Sequence, residues 1–387
     1  MRFLLGLTIF ALFIGLSGVS QAACPVVPSL SGWSNCRRIT FSNASTTSEQ
    51  LNNFPVLVQL NSSRIDYSKT QNSGQDIRFV DNDGSTLLDY EIERWDETAS
   101  SSVWVRVPAV ASSSATDYID MFYGNAGAAD AQASSAVWNA NYKVVSHLTS
   151  NLYDSTSNNL PVSATGTTAT SSGAIGGLAR DFNGTTDAIN LSSSSVVADI
   201  RPMTASIWHT TDDGTSAQNY FSKIASGNFW VFRDNVGASS NAFQFRHNFT
   251  GGNGTWTWGS DTDPVVGQKY HILLTYDKSL ATNDPILYIN GILYTIVADG
   301  NASGSFSSEA LKDLLLSSNG YDGRMDEFRY ATSTFSHAWA WAEYQTGIGA
   351  FQTYGAEEAT GASIQAIGKL VLQAGKLVLQ AGKLLLQ

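Results

Sequence analysis

The stretch PILYINGILYTI, residues 285–296, decides the fold class of this chain. It places Asn290-Gly291 between two short apolar runs. An Asn-Gly pair adopts the positive φ angles of a two-residue hairpin turn at low steric cost. The stretch therefore predicts two antiparallel strands joined by a tight turn.

The same strand-like alternation recurs through the chain, whereas helical periodicity is nearly absent. In FPVLVQLN, residues 54–61, the apolar side chains Phe54, Val56, Val58 and Leu60 share one face. A second hairpin is predicted in DIRFVDNDGSTLLDYEIERWD, residues 76–96, around Asp83-Gly84. Many short strands separated by turn residues are typical of sandwiches and barrels. The predicted fold class is all-β, with two β-sandwich domains.

Composition shifts divide the chain into four parts. An Ala/Ser/Gly-rich seam follows the strand that ends at Tyr123, and the alternating strands stop after YGAEEATGAS. The predicted parts are a signal peptide at 1–22, a first sandwich at 24–138, a second domain at 142–357 and a repeat tail at 358–387.

The N-terminus has the layout of a secretory signal, with Arg2 before an apolar run and small residues up to Ala22. The run from Phe3 to Leu16 is shorter than the roughly 20 residues of a membrane span. Cleavage after Ala22 predicts an exported protein, periplasmic or extracellular, without a span in the mature chain. The alternative is a lipoprotein anchored at Cys24. In an oxidising compartment Cys24 and Cys36 are expected to form a local disulfide.

Net charge and charged content limit the partners. The formal net charge is −11, and only 14% of residues are charged. Such a chain repels nucleic acid and anionic lipid, so the expected partner is a glycan or a surface protein.

The tail repeats GKLVLQA at 368–374 and at 375–381. One interpretation is a low-complexity extension. The other is a sticky, strand-forming or partner-binding segment, because KLVLQ combines high strand propensity with little charge.

Residues 33–138 resemble the bacterial domain of unknown function DUF2341. The resemblance rests on WSNCRRITFSN, FPVLVQLN, IDYSKTQNSGQDIRFVDNDGSTLLDYEIERWD, VWVRVPAV and TDYIDMFYGNAGA. It implies no activity.

Residues 142–356 resemble the laminin-G-like, concanavalin A-like jelly rolls. The resemblance rests on DSTSNNL, LARDFNGTTDAINL, MTASIWHT, YHILLTYD, ILYINGILY and GYDGRMDEFRYATSTFSHAWAWAEYQ. It implies a jelly-roll fold and a ligand-binding role. The order of the two domains also resembles the exported part of some bacterial envelope proteins that continue into an ExbB/TolQ-like channel.

Jelly rolls of this kind include glycosidases, which use two carboxyl groups to flank the scissile bond. The glucanase pattern E-x-D-x-E does not occur in this sequence. Glu91 and Glu93 share a strand face and come nearest to it, but they are expected to form a solvated acidic surface. The sequence also contains no G-x-S-x-G elbow. We therefore expect no catalytic residues, with a glycoside hydrolase as the weaker alternative.

The resemblance to laminin-G-like domains implies calcium as a cofactor. The candidate ligands are Asp154 and Asn158 together with Asp326 or Glu327, since hard cations prefer oxygen ligands. Alternatively, Asp154 and Asn158 cap a turn through their own backbone. Strand alternation predicts that Asp326 and Glu327 point to opposite faces, which would leave a single carboxylate for a metal.

A sugar site is predicted in FTGGNGTWTWGSDTD, residues 249–263. Trp256 and Trp258 lie on one face of a strand and could stack on pyranose rings, while Asn253 and Asp261 supply polar edges. The alternative is that the indoles pack inside the domain. The leading hypothesis is an exported, non-enzymatic protein that binds carbohydrate or another cell-surface ligand. A structural or adhesive envelope module that binds protein partners is the alternative.

Overall fold

A computed structural model describes most of the chain from Cys24 onward. The described residues are 24–44, 49–175, 177–225, 227–234, 242–259, 264–300, 302–310, 312–318, 320–360, 369–373 and 376–380. The predicted signal peptide at 1–22 and the candidate ligand Asp261 lie outside these ranges.

The N-terminal part of the described chain forms six strands and a short helix: β1 (Asn35–Phe41), β2 (Leu51–Leu60), β3 (Arg78–Asp81), β4 (Tyr90–Arg94), β5 (Ser101–Val110), β6 (Tyr118–Tyr123) and α1 (Ser134–Val137). The next described strands are β7 (Tyr142–Ser146), β8 (Ser163–Thr165), β9 (Thr168–Thr170), β10 (Ala179–Asn183), β11 (Ala188–Asn190), β12 (Met203–Thr211), β13 (Asn219–Ala225) and β14 (Gly227–Asp234).

The remaining described elements are β15 (Phe243–His247), β16 (Gly254–Trp258), β17 (Lys269–Tyr276), β18 (Ile286–Ile289), β19 (Ile292–Tyr294), β20 (Ile296–Gly300), β21 (Asp313–Leu316), β22 (Asp322–Ala331), α2 (His337–Gly347), β23 (Gln352–Ala359), β24 (Lys369–Gln373) and β25 (Lys376–Gln380). Short 3-10 turns occur at Pro28–Leu30, Tyr67–Lys69 and Ser195–Val197. The predicted all-β class is confirmed.

The N-terminal sandwich consists of the sheets β23-β1-β6-β3 and β2-β5-β4. Phe54, Val56, Val58 and Leu60 are buried in its core, as the alternation in β2 predicts. The other face of β2 and β5 presents Leu57 and Trp104 toward the second domain. One sheet of this sandwich is therefore covered on both sides.

The jelly roll consists of two larger sheets. The domain-facing sheet has the order β19-β18-β17-β12-β22-β10-β9, with β7 also paired to β22. The outer sheet has the order β20-β16-β15-β14-β13-β21-β11-β8. An aromatic-rich core that includes Trp230, Phe232, Phe245 and Tyr276 fills the space between them.

The hairpin that opened the sequence analysis forms as predicted. β18 and β19 pair antiparallel with Ile289 opposite Ile292. Asn290 and Gly291 between them have φ angles of 52° and 75°. Both lie in the left-handed region that a two-residue hairpin turn of this type requires.

The last strand inside the predicted second domain, β23, pairs with the N-terminal sandwich. β23 leaves the jelly roll and pairs antiparallel with β1, placing Gln352 opposite Phe41 and Glu358 opposite Cys36. The residues of β23 alternate like any other strand, so the sequence does not show which sheet they join. The N-terminal sandwich is thus completed by a strand more than 300 positions away.

Helix α2 lies between the two domains. Ser336 caps it by accepting a hydrogen bond from the Trp339 N–H, a common way to satisfy a free donor at a helix start. Ala338 and Ala342 pack into the core of the N-terminal sandwich, whereas Glu343 points at the jelly roll. A helix covered on opposite sides needs no single apolar stripe, which explains why its sequence shows no helical period.

Three further expectations concern the cysteines, the repeat tail and membrane spans. Cys24 and Cys36 form the predicted disulfide. In the tail, Lys369–Gln373 and Lys376–Gln380 pair as an antiparallel hairpin, in agreement with the strand-forming interpretation. Within the described residues, every helix is too short or too polar to cross a bilayer.

Candidate functional site

Seven ionisable side chains are buried where the N-terminal sandwich, the jelly roll and α2 meet. We call this set the interdomain cluster. Its members are Glu91, Glu93, His147, Asp326, Glu327, Arg329 and Glu343. Five carboxyl groups thus lie close to one guanidinium, that of Arg329, and to the imidazoles of His147 and His271.

The N-terminal sandwich contributes Glu91 and Glu93 from β4. Residues two apart in a strand share a face, and this face is covered by the jelly roll. Glu91 is 3% exposed, and the Glu93 side chain is 0% exposed. The expectation of a solvated acidic surface is therefore wrong, because the second domain docks on it.

His147, just after β7, is the centre of the cluster. Its Nδ1 lies 2.7 Å from Glu327 Oε1 and 3.8 Å from Glu93 Oε2, and its Nε2 lies 3.3 Å from Glu91 Oε2. The imidazole stacks against Trp104 at 6.0 Å between ring centroids. A single imidazole of the jelly roll thus contacts two glutamates of the other domain.

A β-bulge in β22 brings Glu327 to this face. The pairing of β12 with β22 shifts so that Ser206 opposes Arg329 while Trp208 opposes Asp326. Two residues of β22 therefore stand opposite one of β12, and Glu327 has a φ of 54°. A glutamate in the left-handed region is uncommon and is held there by its surroundings.

The bulge overturns the predicted orientation of the Asp326-Glu327 pair. Met325 and Phe328 both pack in the jelly-roll core, so the residues between them share the opposite side. Asp326 Oδ2 accepts the Ile175 N–H at 2.8 Å on that side, and Glu327 contacts His147 there. Strand alternation failed because the extra residue shifts the phase of every side chain after it.

Arg329 links the cluster to α2. Its Nη2 donates to Glu327 Oε2 at 2.8 Å and its Nη1 donates to Glu343 Oε1 at 2.9 Å. Glu343 Oε1 also accepts the Ser206 hydroxyl at 2.6 Å. The guanidinium lies 4.4 Å from the Trp104 ring centroid, a favourable cation–π position.

Electrostatics keep part of the cluster charged. Burial lowers the pKa of His147, but the charges of Glu327 and Glu91 raise it well above its usual value. Burial raises the pKa of Glu327, yet His147 and Arg329 hold it below its usual value. Burial likewise opposes ionisation of Glu343, while Arg329 and His271 lower its pKa to about 2. These groups are ionised at neutral pH.

The remaining carboxyl groups take up protons. Burial and the charge of Glu327 raise the pKa of Glu93 to about 8. Burial and the same charge raise the pKa of Asp326 well above its usual value. The nearby cations are too few for five carboxylates, so these two are neutral at pH 7.

Two of the predicted calcium ligands, Asp154 and Asn158, make hydrogen bonds within and beside their own turn. The Asp154 carboxylate accepts hydrogen bonds from the backbone N–H groups of Val145, Thr156 and Leu160 and from the Thr156 hydroxyl. Asn158 donates to the carbonyls of the strand residues Tyr142 and Lys143 at 3.4 and 3.1 Å. Both side chains pin a turn against β7, as the alternative interpretation proposed.

A different group has metal-ligand geometry. Among the described residues, Glu93, His147 and Glu327 each offer a ligand atom, and these atoms lie within 4.8 Å of one another. Sequence reasoning missed Glu93 and His147 because they lie 54 positions apart and on different domains. Nothing in the sequence indicated the β-bulge that turns the Glu327 side chain toward His147 either.

The predicted sugar platform is also corrected. Trp256 and Trp258 are both 0% exposed and belong to the jelly-roll core. Trp256 packs against Tyr276 with ring centroids 5.3 Å apart, and its Nε1 donates to Asp284 at 2.8 Å. Their shared strand face points into the sandwich because burial favours the apolar face. Asn253 is exposed at the start of β16.

Two family models match the sequence. Residues 73–163 match the domain of unknown function DUF2341. Residues 183–339 match the concanavalin A-like lectin/glucanases superfamily. The chain therefore carries DUF2341 followed by a concanavalin A-like jelly roll. None of the curated proteins matches it.

Several solved structures are similar at low identity. Domain 4 of AbnA, an extracellular GH43 arabinanase from Geobacillus stearothermophilus, was solved in complex with arabinotriose. It is 19% identical with a TM-score of 0.42, and the alignment covers 53% of this chain and 98% of that domain. The binding domain of Paraclostridial Mosquitocidal Protein 1 is 13% identical with a TM-score of 0.41, over 53% of this chain and 52% of its own.

The binding domain of botulinum neurotoxin serotype D is 11% identical with a TM-score of 0.42, over 53% of this chain and 51% of that one. The chain thus spans about half the length of each toxin binding domain.

Proposed function

We propose that this chain is an exported, non-enzymatic binding protein whose jelly roll takes a carbohydrate ligand. The match to the concanavalin A-like lectin/glucanases superfamily supports the ligand class. The Cys24–Cys36 disulfide supports an oxidising, extracytoplasmic compartment.

The observation that carries the non-enzymatic part is the burial of the acidic cluster. A glycosidase needs two carboxyl groups that reach the scissile bond from opposite sides. Glu91, Asp326 and Glu327 are 3%, 2% and 1% exposed, and His147 and Arg329 already pair with Glu91 and Glu327. A polysaccharide has no access to them.

The ligand face that we assign is the outward side of the outer sheet. Core-facing residues alternate there with Arg233, Gln244, Arg246, Thr255 and Thr257 on β14, β15 and β16. Cross-strand pairing aligns Arg233 with Gln244 and Gln244 with Thr257, and it aligns Arg246 with Thr255 in the next row. Gln244 is 8% exposed and its Oε1 accepts from Arg233, so it orients that guanidinium. The guanidinium groups and the threonine hydroxyls in adjacent rows suit the hydroxyls of a sugar chain.

The domain-facing sheet offers no comparable surface. Its outward residues Trp208 and Ala331 pack with Trp104 and Trp138 in an apolar cluster between the domains. Leu273 packs there against Ala340 of α2. Because this side is occupied within the chain, we assign the ligand to the opposite sheet.

A glycan and polysaccharide array probed with the full mature chain tests the proposal. We expect retention of at least one polysaccharide, and an Arg233→Ala/Arg246→Ala double variant should lower its affinity at least tenfold. Arg324→Ala is the control, since Arg324 pairs with Asp212 on the domain-facing sheet. Absence of any bound glycan, or unchanged affinity in the double variant, contradicts the proposal. Capture of a surface protein instead would favour the adhesive alternative.

A further inference from the structure

Glu93, His147 and Glu327 form an unusually compact set of metal-ligating groups. His147 Nδ1 lies 2.7 Å from Glu327 Oε1 and 3.8 Å from Glu93 Oε2. Tetrahedral ligands with bonds of about 2.1 Å lie about 3.4 Å apart. The two distances from His147 bracket that value, and all three ligand atoms lie within 4.8 Å of one another, so small shifts of these side chains would seat a small cation.

Two carboxylate oxygens at this place lack a hydrogen-bond partner. Glu93 Oε1 and Asp326 Oδ1 are both buried and unpaired. The Glu93 side chain is 0% exposed, and Asp326, the neighbour of Glu327 in the chain, is 2% exposed. Buried polar atoms are nearly always satisfied, so these oxygens point to a missing partner, which a bound cation would supply in place of the protons that the two groups otherwise hold.

The surroundings are those of an oriented metal site. His147 Nε2 lies 3.3 Å from Glu91 Oε2, so an ion bound at Nδ1 would replace the proton between Nδ1 and Glu327 Oε1 while Glu91 still orients the ring. Trp104 Nε1 donates to Glu93 Oε2 at 2.9 Å, and Arg329 Nη2 donates to Glu327 Oε2 at 2.8 Å. Outer partners that fix the imidazole and carboxylates in this way are typical of protein metal centres.

The ligand types select the ion. Calcium takes six to eight oxygens, whereas zinc accepts one imidazole nitrogen with two or three carboxylate oxygens. The nitrogen of His147 and the small number of ligands favour a borderline cation over a hard one.

We propose that Glu93, His147 and Glu327 form a buried site for a divalent transition-metal ion of the zinc type, which joins the two domains. Glu93 belongs to the N-terminal sandwich, while His147 and Glu327 belong to the jelly roll. Metal binding therefore stabilises the docked arrangement of the domains.

Refolding with and without metal tests the wild-type chain. The mature protein, purified without a polyhistidine tag, is unfolded in guanidinium and refolded with ZnCl2, CaCl2 or EDTA, which admits the ion before the site is buried. We expect one zinc per chain by mass spectrometry of the bound metal after gel filtration. We also expect an unfolding midpoint several degrees above that in EDTA, and no such shift with calcium. Substoichiometric zinc with an unchanged midpoint overturns the site, and a calcium-only shift overturns the assignment of the ion.

A near-isosteric variant separates metal loss from misfolding. Glu93→Gln keeps the shape of the side chain and can still accept the Trp104 hydrogen bond through its amide oxygen. We expect it to fold in EDTA with a midpoint close to that of the wild type, but to lose bound zinc and the zinc-dependent shift. Glu97→Gln, an exposed position just beyond β4, is the control and should keep both. Zinc retained by Glu93→Gln at full stoichiometry would contradict the proposal.

Discussion

Two groups of buried ionisable side chains in this molecule have opposite surpluses: one has more acidic groups than basic ones, and the other has more basic groups than acidic ones. The interdomain cluster has five carboxyl groups against His147 and Arg329. The second group, which we call the lysine pair site, lies inside the jelly roll and places Lys223 and Lys278 near Glu309. Lys278 forms an ion pair with Glu309, and both side chains are fully buried, whereas Lys223 Nζ is buried without a hydrogen-bond partner.

The two groups resolve their surplus differently. In the interdomain cluster, Glu93 and Asp326 take up protons at a place where two domains meet and a cation could replace them. At the lysine pair site, burial lowers the pKa of Lys223 to about 8, although the charge of Glu309 opposes this. Lys223 lies in the core of one sandwich opposite Trp230. Loss of its proton is therefore the main way in which the cost of burying its charge is reduced. The comparison indicates that the interdomain cluster is suited to bind a cation between the domains. The lysine pair site, in contrast, lowers the stability of the jelly roll.

The largest expected effect comes from removing the cation shared by Glu327 and Glu343. Arg329→Leu leaves Glu343 buried without its strongest partner and leaves Glu327 with His147 alone, so we expect a loss of about 3–5 kcal/mol in the free energy of unfolding. Denaturant unfolding measures it. Arg324→Leu on the same strand is the control, since Arg324 is partly exposed and pairs with Asp212 at the surface. Equal small losses in both variants would show that the cluster does not hold the domains together.

At the lysine pair site, removing the charge of Lys223 should increase the stability of the protein instead of lowering it. Lys223→Met removes an unpaired buried ammonium and keeps an unbranched chain of similar length. We expect a gain of about 1–3 kcal/mol in the free energy of unfolding. Lys143→Met, at a half-exposed lysine of β7, should change it little, whereas Lys278→Met should destabilise by leaving Glu309 unpaired. A destabilised Lys223→Met variant would mean that the Lys223 ammonium makes a stabilising interaction, which would contradict the prediction.

The smallest effect is a pH dependence of the Lys223→Met gain. Lys223 has a lowered pKa of about 8 in the folded chain against a usual value of 10.5. Below pH 8 Lys223 is protonated in both states, and burial of the charge destabilises the folded chain by the full amount. Between pH 8 and pH 10.5 the folded chain has lost this proton while the unfolded chain loses it progressively, so the destabilisation disappears as the pH rises. Lys278, Glu309, Asp199 and Asp313 act on the same group.

We expect the stability difference between wild type and Lys223→Met to shrink by about 1–2 kcal/mol from pH 7 to pH 10. Parallel denaturant series on the two proteins cancel the other titrating groups. A difference that is constant or widens with pH would contradict the lowered pKa.

Local features were predictable from the sequence. Asn290-Gly291 fixed the register of its hairpin because the turn chemistry acts within four residues. The alternation in β2 identified Phe54, Val56, Val58 and Leu60 as a core face, because successive side chains in a strand point to opposite sides. The Cys24–Cys36 pairing was predictable because the two cysteines lie 12 positions apart in a chain with a predicted export signal.

The site was not predictable in the same way. Alternation placed Trp256 and Trp258 on one face but could not tell whether that face meets solvent or the opposite sheet. It placed Glu91 and Glu93 together, but their burial depends on the jelly roll docking on β4. For Asp326 and Glu327 the alternation itself failed, because the bulge puts both side chains on one side.

The sequence by itself determined the all-β class, the order of the two domains, the hairpin at 285–296 and the disulfide, since each follows from covalent geometry or from neighbouring residues. Only the tertiary structure decided that β23 completes the N-terminal sandwich and that His147 meets Glu91, Glu93 and Glu327. Those contacts join residues up to about 320 positions apart. Their formation depends on which surfaces exclude water together, a property of the folded whole.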